Sequence, residues 1–306
     1  MAECDLPKVE TRVRFPSPAP MESLESLPMR KEPIFDAGGT YQHIVDKNIC
    51  FHKEAIEKVF EIITSHFTKI KPLQTPQILD LACGGKPVIF SEIMRRLPSR
   101  HFVYTGIDLN RDQVDACKQY PFSKNVTACA MEGNIWELNE LSLNRDFDII
   151  FMGLNAHHAV PEEIFYAAKD IHKLLKPNGI FLNHDLFRPA QYPYLRRPKS
   201  MQFVSKEKLA KANIKTPLSP NFVGETHSNW RGEWFLRHRA YLQNSGVGLE
   251  AANLGIEHMK NRDYPVSAEE MGAILKKADF KVEIHYYKNT NYPPPQFFGL
   301  VAGYKK

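Results

Sequence analysis

Short apolar runs alternate with longer amphipathic stretches along the middle of this chain. The short runs are almost continuously apolar, which is typical of strands buried on both faces of a sheet. They predict five strands, near 77–82, 102–107, 125–129, 147–152 and 179–186. The longer stretches predict helices over 87–97, 111–119 and 161–175. Because strand and helix alternate, the pattern predicts a parallel sheet with helices on both faces.

The segments on either side of this core have different patterns. The N-terminal residues hold prolines among scattered charges and are not expected to form regular elements. Beyond the core, prolines and an aromatic helix candidate predict an insertion over the carboxyl edge of the sheet, where substrates of open α/β sheets bind. The predicted parts are a mobile or strap-like arm at 1–35, a helical cap at 36–75, an α/β core at 76–187, a substrate lid at 188–262 and a closing part of the sheet at 263–306.

The turn after the first predicted strand carries the strongest functional signal. In the segment 77–88, the run QILDL is followed by four small residues and by a proline suited to the first position of a helix. Small residues let the backbone approach a ligand closely, and the helix beyond offers unpaired N–H groups. The second predicted strand leads to Asp108, where doubly wound folds carry an acid that accepts hydrogen bonds from ribose hydroxyls. Asp80, Gly84 and Asp108 are therefore predicted to surround one crevice.

Four motifs follow successive predicted elements: DLACGG at 80–85, GID at 106–108, GN at 133–134 and LLKPNGIF at 174–181. Together they resemble the motifs of class I (Rossmann-like) S-adenosylmethionine-dependent methyltransferases. The resemblance implies an α/β fold with a seven-stranded, mostly parallel, doubly wound sheet, closed by an antiparallel pair of strands. The last elements predicted from the apolar pattern are two helices at 249–262 and 267–278, followed by that pair of strands at 280–287 and 297–304.

The resemblance also implies a cofactor, S-adenosyl-L-methionine. Its ribose is predicted to bind Asp108, and its adenine to lie in a slot walled by Leu109, Ile135 and Trp136. Asn134 stands where the family more often has aspartate, and its amide oxygen can still accept a hydrogen bond from the adenine amine. The predicted cofactor-binding residues are Asp80, Ala82, Cys83, Gly84, Asp108, Leu109, Gly133, Asn134, Ile135 and Asn155.

Histidines at the ends of two predicted strands are the candidate catalytic residues. The fourth strand is followed by His157 and His158, and an imidazole near neutral pKa can remove a proton from an attacking hydroxyl or amine. The alternative is a structural role at the start of the next helix. His184, after the fifth strand, is a second candidate base. Asp185 is its neighbour on a strand, so the two side chains point to opposite faces and are not expected to form a dyad.

Two further features of the sequence leave alternatives open. The chain has no HExxH motif and no paired CxxC, so no metal is predicted. The insertion helix carries aromatic and basic residues that either line a pocket for an anionic or aromatic substrate or belong to a lid that packs its tryptophans inward. These residues are Trp230, Arg231, Trp234, Arg237 and Arg239.

Composition narrows the class of protein. The 306 residues carry 40 basic and 35 acidic side chains, so nucleic acid is not indicated as a partner. The five cysteines are odd in number and show no CxxC pair, which favours reduced thiols. The sequence has no signal-peptide pattern and no apolar run of membrane-spanning length. We therefore expect a soluble, cytoplasmic protein that does not bind membranes, and its oligomeric state is left open.

The predicted function is methyl transfer from S-adenosylmethionine to an oxygen, nitrogen or carbon centre of a small molecule. A small acceptor is favoured because the Asn/Asp-Pro-Pro-Tyr/Phe sequence of many amino-methylating enzymes is replaced by Asn155-Ala-His-His. The alternative is a non-catalytic sensor or scaffold that keeps the fold and the cofactor pocket. Lys86 keeps this alternative open, since it stands where the family commonly has another glycine. A nicotinamide oxidoreductase is disfavoured because the turn lacks the GxGxxG pattern.

Overall fold

A computed structural model describes residues 40–68, 75–143, 146–190, 203–211, 229–287 and 298–306. The arm predicted at 1–35 lies outside the described residues, as does much of the predicted lid between 191 and 228. Within the described residues, no helix is long and apolar enough to span a bilayer.

Seven strands form one sheet in the order β3-β2-β1-β4-β5-β7-β6. The strands β1 to β5 are parallel to one another, and β7 is antiparallel to both β5 and β6. This arrangement confirms the predicted seven-stranded, mostly parallel, doubly wound sheet with an antiparallel pair at its end. The strands are β1 Gln77–Leu81, β2 Phe102–Asp108, β3 Val126–Glu132, β4 Phe147–Gly153, β5 Leu175–Leu186, β6 Phe280–Tyr286 and β7 Phe298–Lys305.

Nine α-helices are present in the part of the chain that the structure describes. They are α1 Thr40–Asp46, α2 His52–Phe67, α3 Val88–Arg96, α4 Arg111–Lys118, α5 Pro161–Leu174, α6 Lys206–Lys211, α7 Asn229–Asn244, α8 Leu249–Arg262 and α9 Ala268–Lys277. Local side chains fix several of their starts. The Ser267 hydroxyl accepts the Glu270 N–H at 3.1 Å and Glu270 accepts the Ser267 N–H at 2.9 Å, which is a capping box at the start of α9.

The sheet has a separate apolar core on each face. Ile78 packs in a cluster with residues of α2 and α3, whereas its neighbour Leu79 packs in a second cluster with residues of α5 and α9. Successive side chains of a strand point to opposite faces, so a strand covered on both faces is apolar at nearly every position, with Asp80 of β1 as an exception. The continuous apolar runs in the sequence follow from this arrangement.

Two details of the sheet differ from the sequence prediction. β3 extends to Glu132, beyond the predicted end at 129, because its pairing with β2 continues as far as Asp108. β5 begins at Leu175, before the predicted start at 179, because Leu175 already pairs with Phe147. The register is then irregular up to the Ile149–Ile180 pair, and Asn178 has a φ of 64° in the same stretch.

Helix α7 has its Trp234 side chain inside the protein. The ring is 2% exposed and stacks on Phe235 with ring centroids 5.2 Å apart. Arg237 and Arg239 are exposed. Trp234 thus fits the alternative of a packed lid helix, and the side chains of Trp230 and Arg231 lie outside the described residues.

Glu163 attaches the described piece of the insertion to the first turn of α5. Its carboxylate is fully buried and accepts backbone N–H groups from Val160 at 3.1 Å, from Val204 at 3.0 Å and from Phe203. Phe203 in turn stacks on Trp136, with ring centroids 5.7 Å apart and an angle of 15° between the planes. One buried carboxylate therefore positions both the start of a helix and the segment before α6.

We expect Glu163→Ala to lower the free energy of unfolding by about 2 kcal/mol, because three backbone donors lose their acceptor and water replaces it only in part. Urea unfolding measures this change, and a red shift of tryptophan fluorescence is expected from the loosened ring stack. Glu162→Ala, in the same helical turn, is the control and is expected to change stability by less than about 0.5 kcal/mol. Equal stability of the two variants would contradict this role of Glu163.

Candidate active site

The glycine turn between β1 and α3 is bound to the end of β2. The Gly84 N–H donates to Asp108 Oδ2 at 3.0 Å, and the Cys83 N–H donates to the Ile107 carbonyl at 3.0 Å. Gly84 has a φ of 59°, a conformation that glycine adopts without strain. At Gly85, a side chain is excluded because its Cβ would lie 2.8 Å from the Cβ of Ala116. The small residues of the turn are thus required by its close approach to β2 and α4.

Asp108 lies at the carboxyl end of β2 with both carboxylate oxygens facing backbone donors. In addition to the Gly84 bond, Oδ1 accepts the Asn110 N–H at 2.9 Å. Burial raises the pKa of Asp108, while the backbone hydrogen bonds from Asn110, Gly84 and Leu109 oppose that rise. A carboxylate has about four acceptor positions, so the three backbone bonds leave one for a hydroxyl group of a ligand. The next residue, Leu109, is 42% exposed and supplies apolar surface beside the carboxylate.

Asp80 is buried beneath the turn rather than exposed in a crevice. It is 4% exposed, and the Tyr104 hydroxyl donates to its Oδ2 at 2.7 Å. Burial raises the pKa of Asp80 to about 7, although the Tyr104 hydrogen bond opposes the rise. The structure therefore brings Gly84 and Asp108 into contact and places Asp80 below them. From the same turn, Ala82 has a φ of 59° and Cys83 is 6% exposed.

The segment after β3 is folded onto itself. Gly133 donates its N–H to the Asp108 carbonyl at 3.0 Å, which keeps this segment beside β2. The Asn134 Oδ1 accepts the Trp136 N–H at 3.1 Å, and its amide donates to Glu137 Oε2 at 3.1 Å. Ile135 is 5% exposed and Trp136 is 2% exposed. The Trp136 ring, covered by Phe203, offers almost no surface to a ligand, so its predicted place in the wall of an open slot is not supported.

His157 and Asp185 form a buried pair across the carboxyl ends of β4 and β5. His157 Nδ1 lies 2.5 Å from Asp185 Oδ1, and the His157 backbone N–H donates to Asp185 Oδ2 at 3.3 Å. Asn155 begins the turn that carries His157, and its carbonyl accepts the His158 N–H at 3.1 Å. Sequence reasoning missed this pair. The available signal was that Gly153 and His184 would be paired on neighbouring parallel strands, which brings the following residues together.

Three imidazoles surround one carboxylate oxygen of Asp263, which lies just after α8. Its Oδ1 lies 3.7 Å from His157 Nε2, 3.3 Å from His158 Nδ1 and 3.5 Å from His258 Nε2. Burial alone would lower the pKa of His157, but Asp185 and Asp263 together raise it to about 9. Burial, followed by the nearby His157, lowers the pKa of His158. His258 and Asp263 were not predicted as site residues, since no local motif marks them.

His184 lies in the core and not at the edge of the sheet. Its side chain has no exposed surface, and Nδ1 lies 3.3 Å from the Tyr287 hydroxyl and 3.4 Å from the Gly299 carbonyl. Burial lowers the pKa of His184 to about 4. As expected from the strand, His184 and Asp185 face different partners. Of the three histidines predicted as bases, His158 has the most exposed side chain, at 18%.

The strand order, the glycine turn and the acid at the end of β2 define a methyltransferase fold of class I. Residues 78–179 match the family model described as a methyltransferase domain. No curated protein sequence matches the chain. The chain is thus similar to a methyltransferase domain over residues 78–179 and has the fold of class I methyltransferases.

Solved structures similar to this chain include three methyltransferases. The plantazolicin methyltransferase BpumL in complex with SAH is 12% identical with a TM-score of 0.50, over 90% of this chain and 93% of that one. The citrinin polyketide synthase CMeT domain is 14% identical with a TM-score of 0.48, over 81% of this chain and 51% of that one. Human N-acetylserotonin methyltransferase in complex with SAM is 15% identical with a TM-score of 0.42, over 75% and 47%. The match thus spans about half the length of the last two chains.

Proposed function

We propose that this chain binds S-adenosyl-L-methionine and transfers its methyl group to a small-molecule acceptor. The observation that carries the proposal is the contact between Gly84 and Asp108. This contact places a carboxylate that can still accept a hydrogen bond beside a backbone turn that a ligand can approach closely. A ribose needs a carboxylate of this kind, and the half-exposed Leu109 provides apolar surface for the attached base. The plantazolicin methyltransferase, solved with SAH, supports this use of the shared fold.

The proposed reaction requires mainly alignment of the two reactants. The bond between the methyl carbon and the sulfonium sulfur breaks, and its electron pair stays on the sulfur. A new bond forms between that carbon and an oxygen, nitrogen or carbon of the acceptor, which loses a proton. Holding donor and acceptor in line can supply much of the rate acceleration. The residues that surround the acceptor are proposed to come from the carboxyl ends of β4 and β5, on the same edge of the sheet as Asp108.

A small acceptor is proposed on two grounds. The chain has nearly balanced charge, with 40 basic and 35 acidic residues, and so lacks the strong positive charge that favours binding to nucleic acid. In addition, Asn155 and the two histidines occupy the connection after β4, where many enzymes that methylate amino groups of nucleic acids carry a proline pair.

The test is transfer of a labelled methyl group. The full chain is first titrated with S-adenosylmethionine and with S-adenosylhomocysteine by calorimetry, and binding at one site per chain is expected. It is then incubated with methyl-labelled cofactor and a small-molecule extract, and the label is expected in a product that is absent when the protein is boiled. Absence of cofactor binding would overturn the proposal. Tight binding without label transfer to any extract would favour the sensor or scaffold alternative.

A further inference from the structure

Asp263 Oδ1 has nitrogen atoms of three histidines around it, at distances close to those between two ligand atoms of one metal ion. The three separations, from 3.3 to 3.7 Å, join it to His157 Nε2, His158 Nδ1 and His258 Nε2. Ligand atoms bound to a tetrahedral Zn²⁺ at about 2.0–2.1 Å are about 3.3–3.4 Å apart. The donor atoms of His157, His158 and Asp263 all lie within 4.8 Å of one another. Small side-chain movements would bring them onto one ion.

The donor set selects the type of cation. Two or three imidazole nitrogens with one carboxylate oxygen suit Zn²⁺ and the other divalent first-row transition metals. Mg²⁺ and Ca²⁺ prefer sites made of oxygen ligands, so they fit this set poorly. The side chains of His158 and His258 are 18% and 13% exposed, which leaves a route for an ion from solvent.

Asp185 supplies a supporting contact that is frequent at metal sites. Its Oδ1 lies 2.5 Å from His157 Nδ1, which leaves Nε2 as the ring nitrogen directed at Asp263. A histidine ligand usually donates its other N–H to a carboxylate or carbonyl, and this bond fixes the ring orientation. The pair of His157 and Asp185 has the same arrangement.

We propose that His157, His158 and Asp263 bind a divalent transition-metal ion, Zn²⁺ foremost, with His258 as the fourth ligand. The ion would join the connection after β4 to the end of α8 and so hold the insertion against the edge of the sheet. The ligands come from two segments far apart in the sequence, which is why no short metal motif reveals them. An imidazole that binds a metal cannot accept a proton at the same nitrogen, so His157 and His158 are then ligands and not general bases.

The test is metal binding by the full chain, purified without a histidine tag and stripped with a chelator. Zn²⁺ is titrated in competition with a chromophoric chelator, and Co²⁺ is added as a coloured substitute. We expect one ion per chain, a rise in melting temperature with Zn²⁺, and the intense visible absorption of tetrahedral Co²⁺. Asp263→Asn and His158→Gln are each expected to weaken Zn²⁺ binding at least about 100-fold, and Asp185→Asn about 10–100-fold.

The control is His101→Gln, at the opposite edge of the sheet, where the ring contacts the Thr127 hydroxyl at 3.0 Å. Its affinity for Zn²⁺ is expected to equal that of the unmodified protein. Circular dichroism checks folding, and His258→Gln, at a partly exposed position, serves if Asp263→Asn does not fold. Binding of less than one ion per chain, or undiminished binding by the ligand variants, would overturn the metal site. Calorimetry with S-adenosylhomocysteine on the stripped protein tests the proposed function separately.

Discussion

Replacing Asp108 by alanine is expected to weaken binding of S-adenosylmethionine about 100-fold, which corresponds to about 2.7 kcal/mol. A hydrogen bond from a ribose hydroxyl to a charged acceptor would be lost, and such a bond is worth about 1.5–3 kcal/mol. The variant also removes the acceptor of the Gly84 N–H, which holds the turn to β2. Asp108→Asn keeps an amide oxygen as an acceptor, and its affinity for the cofactor is expected to fall only about tenfold. Calorimetric titration with S-adenosylhomocysteine measures both losses.

The matched control for this prediction is Asp115→Asn. Asp115 lies on α4 near Asp108, is about half exposed, and forms surface ion pairs with Arg111 at 3.7 Å and Lys118 at 3.6 Å. Such pairs contribute little, so the control is expected to bind the cofactor like the unmodified protein and to unfold at a similar urea concentration. If Asp108→Ala, folded by circular dichroism, bound the cofactor as tightly as the control, Asp108 would not be a cofactor ligand.

The second prediction concerns pH and the buried carboxyl of Asp80. Burial raises its pKa to about 7 in the folded protein, whereas an aspartate in an unfolded chain has a pKa of about 3.9. Between these two values, the folded protein retains a proton that the unfolded chain releases. The free energy of unfolding therefore falls as pH rises through this window, by as much as about 4 kcal/mol, and this contribution is constant above it.

Asp80→Asn is expected to remove this dependence on pH. An amide does not ionise, has nearly the same shape, and can still accept the hydrogen bond from Tyr104. Urea unfolding at a series of pH values measures the stability of the variant and of the unmodified protein. As pH rises from about 4 to about 7, the variant should become increasingly more stable than the unmodified protein. Asp115→Asn is again the control and should keep the original slope. A difference that is the same at every pH would show that Asp80 does not titrate in this range.

Five strands were predicted almost to the residue. β1, β2, β4, β6 and β7 differ from their predicted bounds by one residue at most. Among them, β1, β2 and β4 are covered on both faces of the sheet and are therefore apolar at nearly every position. The helix at 249–262 was also predicted with its observed bounds. The start of β5 was misplaced because Lys176-Pro-Asn-Gly reads as a turn, and only its pairing with β4 shows that the strand has begun.

The contact between the glycine turn and Asp108, proposed to bind the cofactor, was predictable because it is local. A glycine turn and an acid at the end of the next strand are brought together by any parallel pair of strands, and Gly84 and Asp108 are indeed in contact. The histidine side was not predictable to the same degree. His157 was named, but its partners Asp185 and Asp263 follow from the packing of β5 and α8 around it.

By itself, the sequence determined the alternation of strand and helix and the contact between the glycine turn and the acid at the end of the next strand, whereas the seven-stranded sheet was implied by the family resemblance. The first two properties depend on the period of apolar residues and on turn residues that act over a few positions. The tertiary structure alone decided which buried carboxylate meets which histidine, and that His184 faces Tyr287 in the core. The reason is that such pairs join segments distant in the chain, and their distances depend on how every element between them packs.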